Sequence, residues 1–158
     1  HQARTGRAAG MTGQAAIEGQ CLCGAVSIEL QRPADRLEIC QCAMCRRWGG
    51  AFYAAMTGDE ATVSGEDMVT VFRSSEWAER AFCSRCGSTL WFRFLPTGNR
   101  SFSAGLFDAA KDVAVDREIF ADHAANWARL EGPHQRLSEA EILAEARAAG
   151  FSIGWSEN

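Results

Sequence analysis

Short runs in which apolar and polar side chains alternate recur along this chain. Val26, Ile28 and Leu30 alternate with Ser27 and Glu29, a period of two that predicts a strand with one buried face. Gln31-Arg32-Pro33-Ala34-Asp35 ends that run. Leu37-Glu38-Ile39 predicts another short strand, and the Gly49-Gly50 hinge separates the next apolar run, 51–56. Further strands are predicted at 61–64, 69–73, 78–82, 90–94, 101–106 and 117–121, divided by polar turns such as Ser64-Gly65-Glu66-Asp67 and Pro96-Thr97-Gly98-Asn99. Serial short strands of this spacing predict a mostly β fold of antiparallel strands rather than βαβ units. One helix stands out, over 139–149. Ser138 and Glu141 have the spacing of a capping box, Leu137 and Ile142 that of a hydrophobic staple, and Gly150 follows where a terminating glycine belongs.

Composition narrows the picture. The 158 residues are 47% hydrophobic and 23% charged, which predicts one globular domain over 11–158 with a core of its own. Residues 1–10 hold no apolar segment and precede Met11, so they are expected to be an expression remnant. A net charge of −4 with a single lysine, Lys111, argues against a nucleic-acid binder, whose affinity comes from clustered basic residues. No apolar run approaches the roughly 20 residues of a membrane helix.

Cysteine changes the picture most. All seven fall in tight groupings, Cys21-Leu22-Cys23, Cys40-Gln41-Cys42-Ala43-Met44-Cys45 and Cys83-Ser84-Arg85-Cys86. An odd count at such spacing points to metal rather than disulfides and to a reducing, cytoplasmic compartment. Zinc takes four tetrahedral ligands, all from protein at a structural site and three at a catalytic one. Cys23-Gly24 and Cys86-Gly87 end their turns alike, and on that symmetry Cys21, Cys23, Cys83 and Cys86 form one four-sulfur site, although spacing alone admits other partitions. Cys40, Cys42 and Cys45 remain. They make either an open, reactive site or a second closed one completed by His123, His134 or a carboxylate. Arg46 and Arg47 beside them would lower thiol pKa values and hold a substrate carboxylate, or are plain surface charges. Trp48, Phe52, Tyr53, Trp91, Phe92 and Phe94 would wall a pocket or fill a core, and His123 and Trp127 read first as structural.

Taken in order, Gly19-Gln20-Cys21-Leu22-Cys23-Gly24, then Cys40 to Arg47 with Gly49-Gly50, then Phe82-Cys83-Ser84-Arg85-Cys86-Gly87, then Ala104-Gly105-Leu106-Phe107-Asp108 and a late Trp127 resemble the glutathione-dependent formaldehyde-activating enzyme family, which includes centromere protein V. The resemblance implies a β-tent-type fold with two zinc ions per chain. One would be structural, on Cys21, Cys23, Cys83 and Cys86, and the other catalytic, on Cys40, Cys42 and Cys45. It also implies a carbon-sulfur lyase that joins glutathione to formaldehyde, with a small-molecule thiol and aldehyde as its partners. Members often carry His-Ile where this chain has Glu118-Ile119, and Pro where it has Asn126. Two other readings are a two-zinc module that binds a protein or peptide without chemistry, and a redox or metal sensor in which Cys42 and Cys45 form a reversible disulfide.

Overall fold

The computed structural model of the chain describes residues 15–155. The expectation for residues 1–10 lies outside them. In chain order the strands are β1 Ile17–Gln20, β2 Ser27–Gln31, β3 Arg36–Cys40, β4 Tyr53–Met56, β5 Glu60–Ser64, β6 Val69–Arg73, β7 Ala78–Cys83, β8 Thr89–Phe94, β9 Asn99–Ser103, β10 Ala114–Ile119 and β11 Gln135–Leu137. Helix α1, Ala43–Gly49, follows β3, and helix α2, Glu139–Ala148, follows β11. The fold is therefore mostly β, as the alternation predicts.

Residues 15–37 and 56–114 form one compact unit, and residues 38–55 and 115–155 a second. In the first unit β1, β2 and β5 make an antiparallel sheet in which Gly19 pairs with Ile28 and Ile28 with Val63. Gly19 is required there, because a Cβ would stand 2.6 Å from the carbonyl oxygen of Leu106 and 2.7 Å from the Phe107 ring. Strands β6 to β9 run as an antiparallel meander, with a register shift between Ala81 and Phe82 just before the Cys83 turn. Val26, Ile28, Leu30, Leu90 and Phe107 are fully buried and form the apolar interior of this unit. Trp91 meets Phe102 edge-on at 5.9 Å, while Phe92 and Phe94 stand at 6.4 and 6.2 Å from Trp77. Three of the candidate pocket aromatics are thus ring contacts within this unit.

In the second unit the strand order is β11-β10-β3-β4. The β10–β11 pair is parallel, Glu118 opposite Arg136. Helix α2 carries the predicted capping box in full, with the Ser138 hydroxyl accepting from the Glu141 N–H at 3.2 Å and the Glu141 carboxylate accepting from the Ser138 N–H at 2.9 Å. It ends in a Schellman arrangement, Gly150 N–H donating to the Arg147 carbonyl and Phe151 N–H to that of Ala146, with Gly150 at φ 89°. The region expected as strand 117–121 ends at Ile119, because Phe120 sits in the left-handed region at φ 52°. Residues Ala121–His123 then coil into a 3-10 turn.

Candidate metal centre

Two clusters of thiols gather in the chain. Cys21, Cys23, Cys83 and Cys86 bring four Sγ atoms within 4.8 Å of one another, and Cys40, Cys42 and Cys45 bring three. No disulfide joins any of the seven.

The four-sulfur cluster is built from two like turns of the first unit. Gly24 N–H donates to the Cys21 carbonyl at 3.1 Å and Gly87 N–H to the Cys83 carbonyl at 2.8 Å. Both glycines sit at positive φ, 81° and 78°, a conformation that a side chain resists. Backbone N–H groups of Val26 and Ala25 point at the sulfurs of Cys21 and Cys23, at 3.3 and 3.5 Å. Cys21 and Cys23 Sγ are 3.7 Å apart, and Cys23 and Cys83 Sγ 3.8 Å. Tetrahedral Zn–S bonds of about 2.3 Å separate sulfurs by about 3.8 Å, so the donor set matches that ion in number, type and spacing. Ser88 ties the turns together: its hydroxyl accepts from Leu22 N–H at 3.0 Å and lies 3.2 Å from Cys86 Sγ. That hydroxyl, with the Ser88 backbone, lowers the Cys86 thiol to about 5. Ser88 escaped the sequence reading; its only signal was a hydroxyl one residue past the knuckle glycine.

The three-sulfur cluster is local to one segment of the second unit. Strand β3 delivers Cys40, and Cys42 takes the N-cap of α1 with extended dihedrals, its sulfur accepting from Cys45 N–H at 3.4 Å. Gly50 closes the helix in the left-handed conformation, its N–H donating to the Arg46 carbonyl. Cys42 and Cys45 are buried and Cys40 half-buried. The neighbouring thiols of Cys42 and Cys45, followed by burial, push the Cys40 thiol well above its ordinary value. Three thiols so crowded need a cation before all of them ionise, and an all-sulfur set suits a soft ion such as zinc. Among the described residues no histidine or carboxylate joins this cluster. His123 Nε2 lies 2.7 Å from Glu139 and His134 Nε2 2.8 Å from Glu118, so both imidazoles proposed as closing ligands are engaged elsewhere.

Arg46, Arg47 and Trp48 ride on α1 directly after Cys45. Arg46 is half-buried, whereas Arg47 is exposed and donates to the Ala43 carbonyl at 3.5 Å. Trp48 meets Tyr53 at 5.2 Å, and Tyr53 lies opposite Cys40 in the β3–β4 register. Phe52 is half-buried beside it.

Comparison with known proteins fits this arrangement. The family model described as glutathione-dependent formaldehyde-activating enzyme matches residues 16–123. An uncharacterized lyase of Schizosaccharomyces pombe is 34% identical over 107 residues, which are 66% of this chain and 78% of that one. A Halomonas elongata protein whose name proposes glutathione-dependent formaldehyde activation is 34% identical over 85 residues, 48% of this chain and 54% of its own length. A crystal structure of a Rhodobacter sphaeroides protein aligns with TM-score 0.48 and 24% identity over 58% of this chain and 88% of that one. With a match that spans most of its length and takes in all seven cysteines, the chain belongs to the glutathione-dependent formaldehyde-activating enzyme family.

Proposed function

We propose that the protein is a zinc-dependent carbon-sulfur lyase of the cytoplasm that binds a glutathione-type thiol at the Cys40, Cys42 and Cys45 cluster and adds it to formaldehyde or a related small aldehyde. Family membership supports the reaction class. The observation that carries the assignment to this cluster is its count: three sulfurs from one turn, with no imidazole or carboxylate among the described residues to make four. The four-sulfur cluster would hold a second zinc in a structural role, since four protein sulfurs would leave no place for substrate.

Cys40, Cys42 and Cys45 would hold a zinc ion whose charge would favour the thiolate form of an incoming thiol at neutral pH. The chain's own residues do the rest. Cys42 is fixed by capping α1, so the cluster is preorganised rather than gathered on binding. Arg46 and Arg47 offer guanidinium groups to the carboxylates of a peptide thiol. Trp48 and Tyr53, whose rings meet at 5.2 Å with a 36° tilt, would give an apolar wall for the bound thiol. In the reaction the thiolate sulfur bonds to the carbonyl carbon, and the C=O electron pair moves to oxygen, which takes a proton. No redox equivalent is needed.

The test is a calorimetric titration of zinc-loaded protein with glutathione, paired with NMR measurement of S-hydroxymethylglutathione formation. Saturable binding of one glutathione per chain and a rate above the uncatalysed addition are expected. Binding that persists unchanged in the Cys42→Ser variant would remove the cluster from the mechanism.

A further inference from the structure

Gln41 stands between two of the three clustered cysteines, and it is one of the few fully buried polar side chains in the chain, 2% exposed. Strand β3 ends at Cys40 and α1 takes Cys42 as its N-cap, so Gln41 is the single residue joining the two, and its placement sets how Cys40 and Cys42 face one another. That placement is held from both the backbone and the side chain. The Gln41 backbone N–H donates to the Ile119 carbonyl at 3.0 Å. Its side-chain amide donates to Glu118 Oε2 and to the Ala128 carbonyl, both at 2.9 Å.

Glu118 is itself 2% exposed. A lone buried carboxylate is strongly unfavourable, and this one is met from its other side. Glu118 Oε1 lies 2.8 Å from His134 Nε2 and 3.6 Å from Arg136 Nε, the His134 side chain being 4% exposed. Arg136 in turn donates to the carbonyls of Leu130, Gly132 and His134. The turn that follows is strained: Phe120, immediately after the Ile119 carbonyl that holds Gln41, sits at φ 52°, where a bulky residue is an outlier. Strain of that size persists where the surroundings over-determine it, and here they do. His134, Arg136 and Ala128 all lie beyond residue 123, where the family match ends, so the arrangement is not covered by what that match describes.

We propose that Glu118 is a positioning residue for the three-cysteine site: paired with His134 and Arg136, it clamps the Gln41 amide and thereby fixes the spacing of Cys40 and Cys42 for a single soft metal ion. The inference rests on the reading that this cluster holds metal, but not on what substrate the metal meets. Groups hydrogen-bonded to a metal ligand are worth about 10–100-fold in metal affinity when removed, and Glu118, which acts one residue further out through Gln41, is expected at the lower end of that range.

The experiment titrates metal-free full-length protein with Co2+, and then with Zn2+ against a chelator, following the thiolate-to-cobalt and d–d absorption bands of each site. Glu118→Ala is expected to weaken metal at the three-cysteine site about 10-fold and to shift its d–d bands. The four-sulfur site keeps its parent affinity. Glu118→Gln, which preserves an acceptor for the Gln41 amide, is expected to recover part of the loss. Should Glu118→Ala fail to fold, Gln41→Met decides, since it keeps the volume and deletes the clamp. A folded variant whose three-cysteine site binds within about twofold of the parent with unshifted bands overturns the proposal. So does an equal loss at both sites with a lowered melting temperature, the mark of a merely structural residue. Parent protein that takes metal at the cluster and ignores glutathione would instead remove the function proposed above and leave this inference standing.

Discussion

The two thiol clusters differ in how far apart in sequence their ligands lie. Cys21 and Cys23 stand some sixty residues from Cys83, the Cys23 and Cys83 sulfurs being separated by 60 positions and 3.8 Å. Closing that loop constrains the unfolded chain, so an ion bound there acts on folding itself. Cys40, Cys42 and Cys45 come from six consecutive residues and already sit at a strand end and a capped helix. An ion there has little chain left to order. The same side chain would therefore serve two ends: metal bound at the first cluster would convert its binding energy into tertiary structure, while metal bound at the second would leave that energy available for a visiting ligand.

The sharpest way to break this comparison is one substitution in each cluster. Cys83→Ser opens the four-sulfur shell of a fully buried residue, and the domain is expected to lose several kcal/mol, on the order of the loss of a structural metal. Circular dichroism and thermal melts should show an unfolded or poorly cooperative chain. Cys42→Ser removes a ligand but keeps a good N-cap, because a serine hydroxyl accepts from the helix N–H better than a sulfur does. Its stability should change by less than about 1 kcal/mol. Metal at that cluster and glutathione binding should nevertheless vanish, read by zinc analysis and calorimetry on the same sample. Equal unfolding by both substitutions would abolish the distinction.

How much of this was legible before the structure follows from range in sequence. Period-two alternation gave Ser27–Gln31 nearly to the residue, the aromatic run 90–94 gave Thr89–Phe94, and the Ser138–Glu141 box gave α2, since each signal lies within a few positions. Helix α1 was read as part of a tight turn. It has only seven residues, and its cap is a cysteine, which is not among the residues that usually announce one. Strand β11 has three residues and pairs in parallel, so it shows neither alternation nor a hairpin turn. The three cysteine groups were visible as spacing. What stands behind them was not: Gln41 reaches partners 77 and 87 positions away. His134, weighed as a closing metal ligand, is instead the partner of a buried carboxylate. Single polar residues carry no periodicity, so only the fold reveals their pairing.

A milder substitution sharpens the contrast at the four-sulfur site. Ser88→Ala deletes the hydroxyl that Leu22 N–H uses and that touches Cys86. It should cost about 1 kcal/mol in denaturant unfolding, the usual worth of one hydrogen bond. The metal-free Cys86 thiol should also rise from about 5 toward its ordinary value, which the pH dependence of its alkylation rate would register.

The smallest expected effect lies away from both clusters, on α2. Arg117 bridges Glu38 at 2.7 Å and Glu145 at 2.8 Å, tying β10 to the helix within the second unit. The hydrogen bonds from Arg117 hold the Glu145 carboxyl below its ordinary value of 4.5. A group with a lowered folded-state pKa contributes stability above its unfolded value and loses it as pH falls through the folded one. The Glu145 side chain is 56% exposed, so solvent screens the pair and Glu145→Gln should cost only about 0.5 kcal/mol at neutral pH. The difference between parent and variant should be flat above about pH 5, shrink on acidification and weaken in high salt. Metal content and glutathione affinity should not move at all, because this ion pair braces the helix and not the cysteine turn. A variant that lost metal along with that half kilocalorie would show that the second unit's framework and its cluster are one cooperative structure, and the local, preassembled character argued for the three-sulfur site would fail.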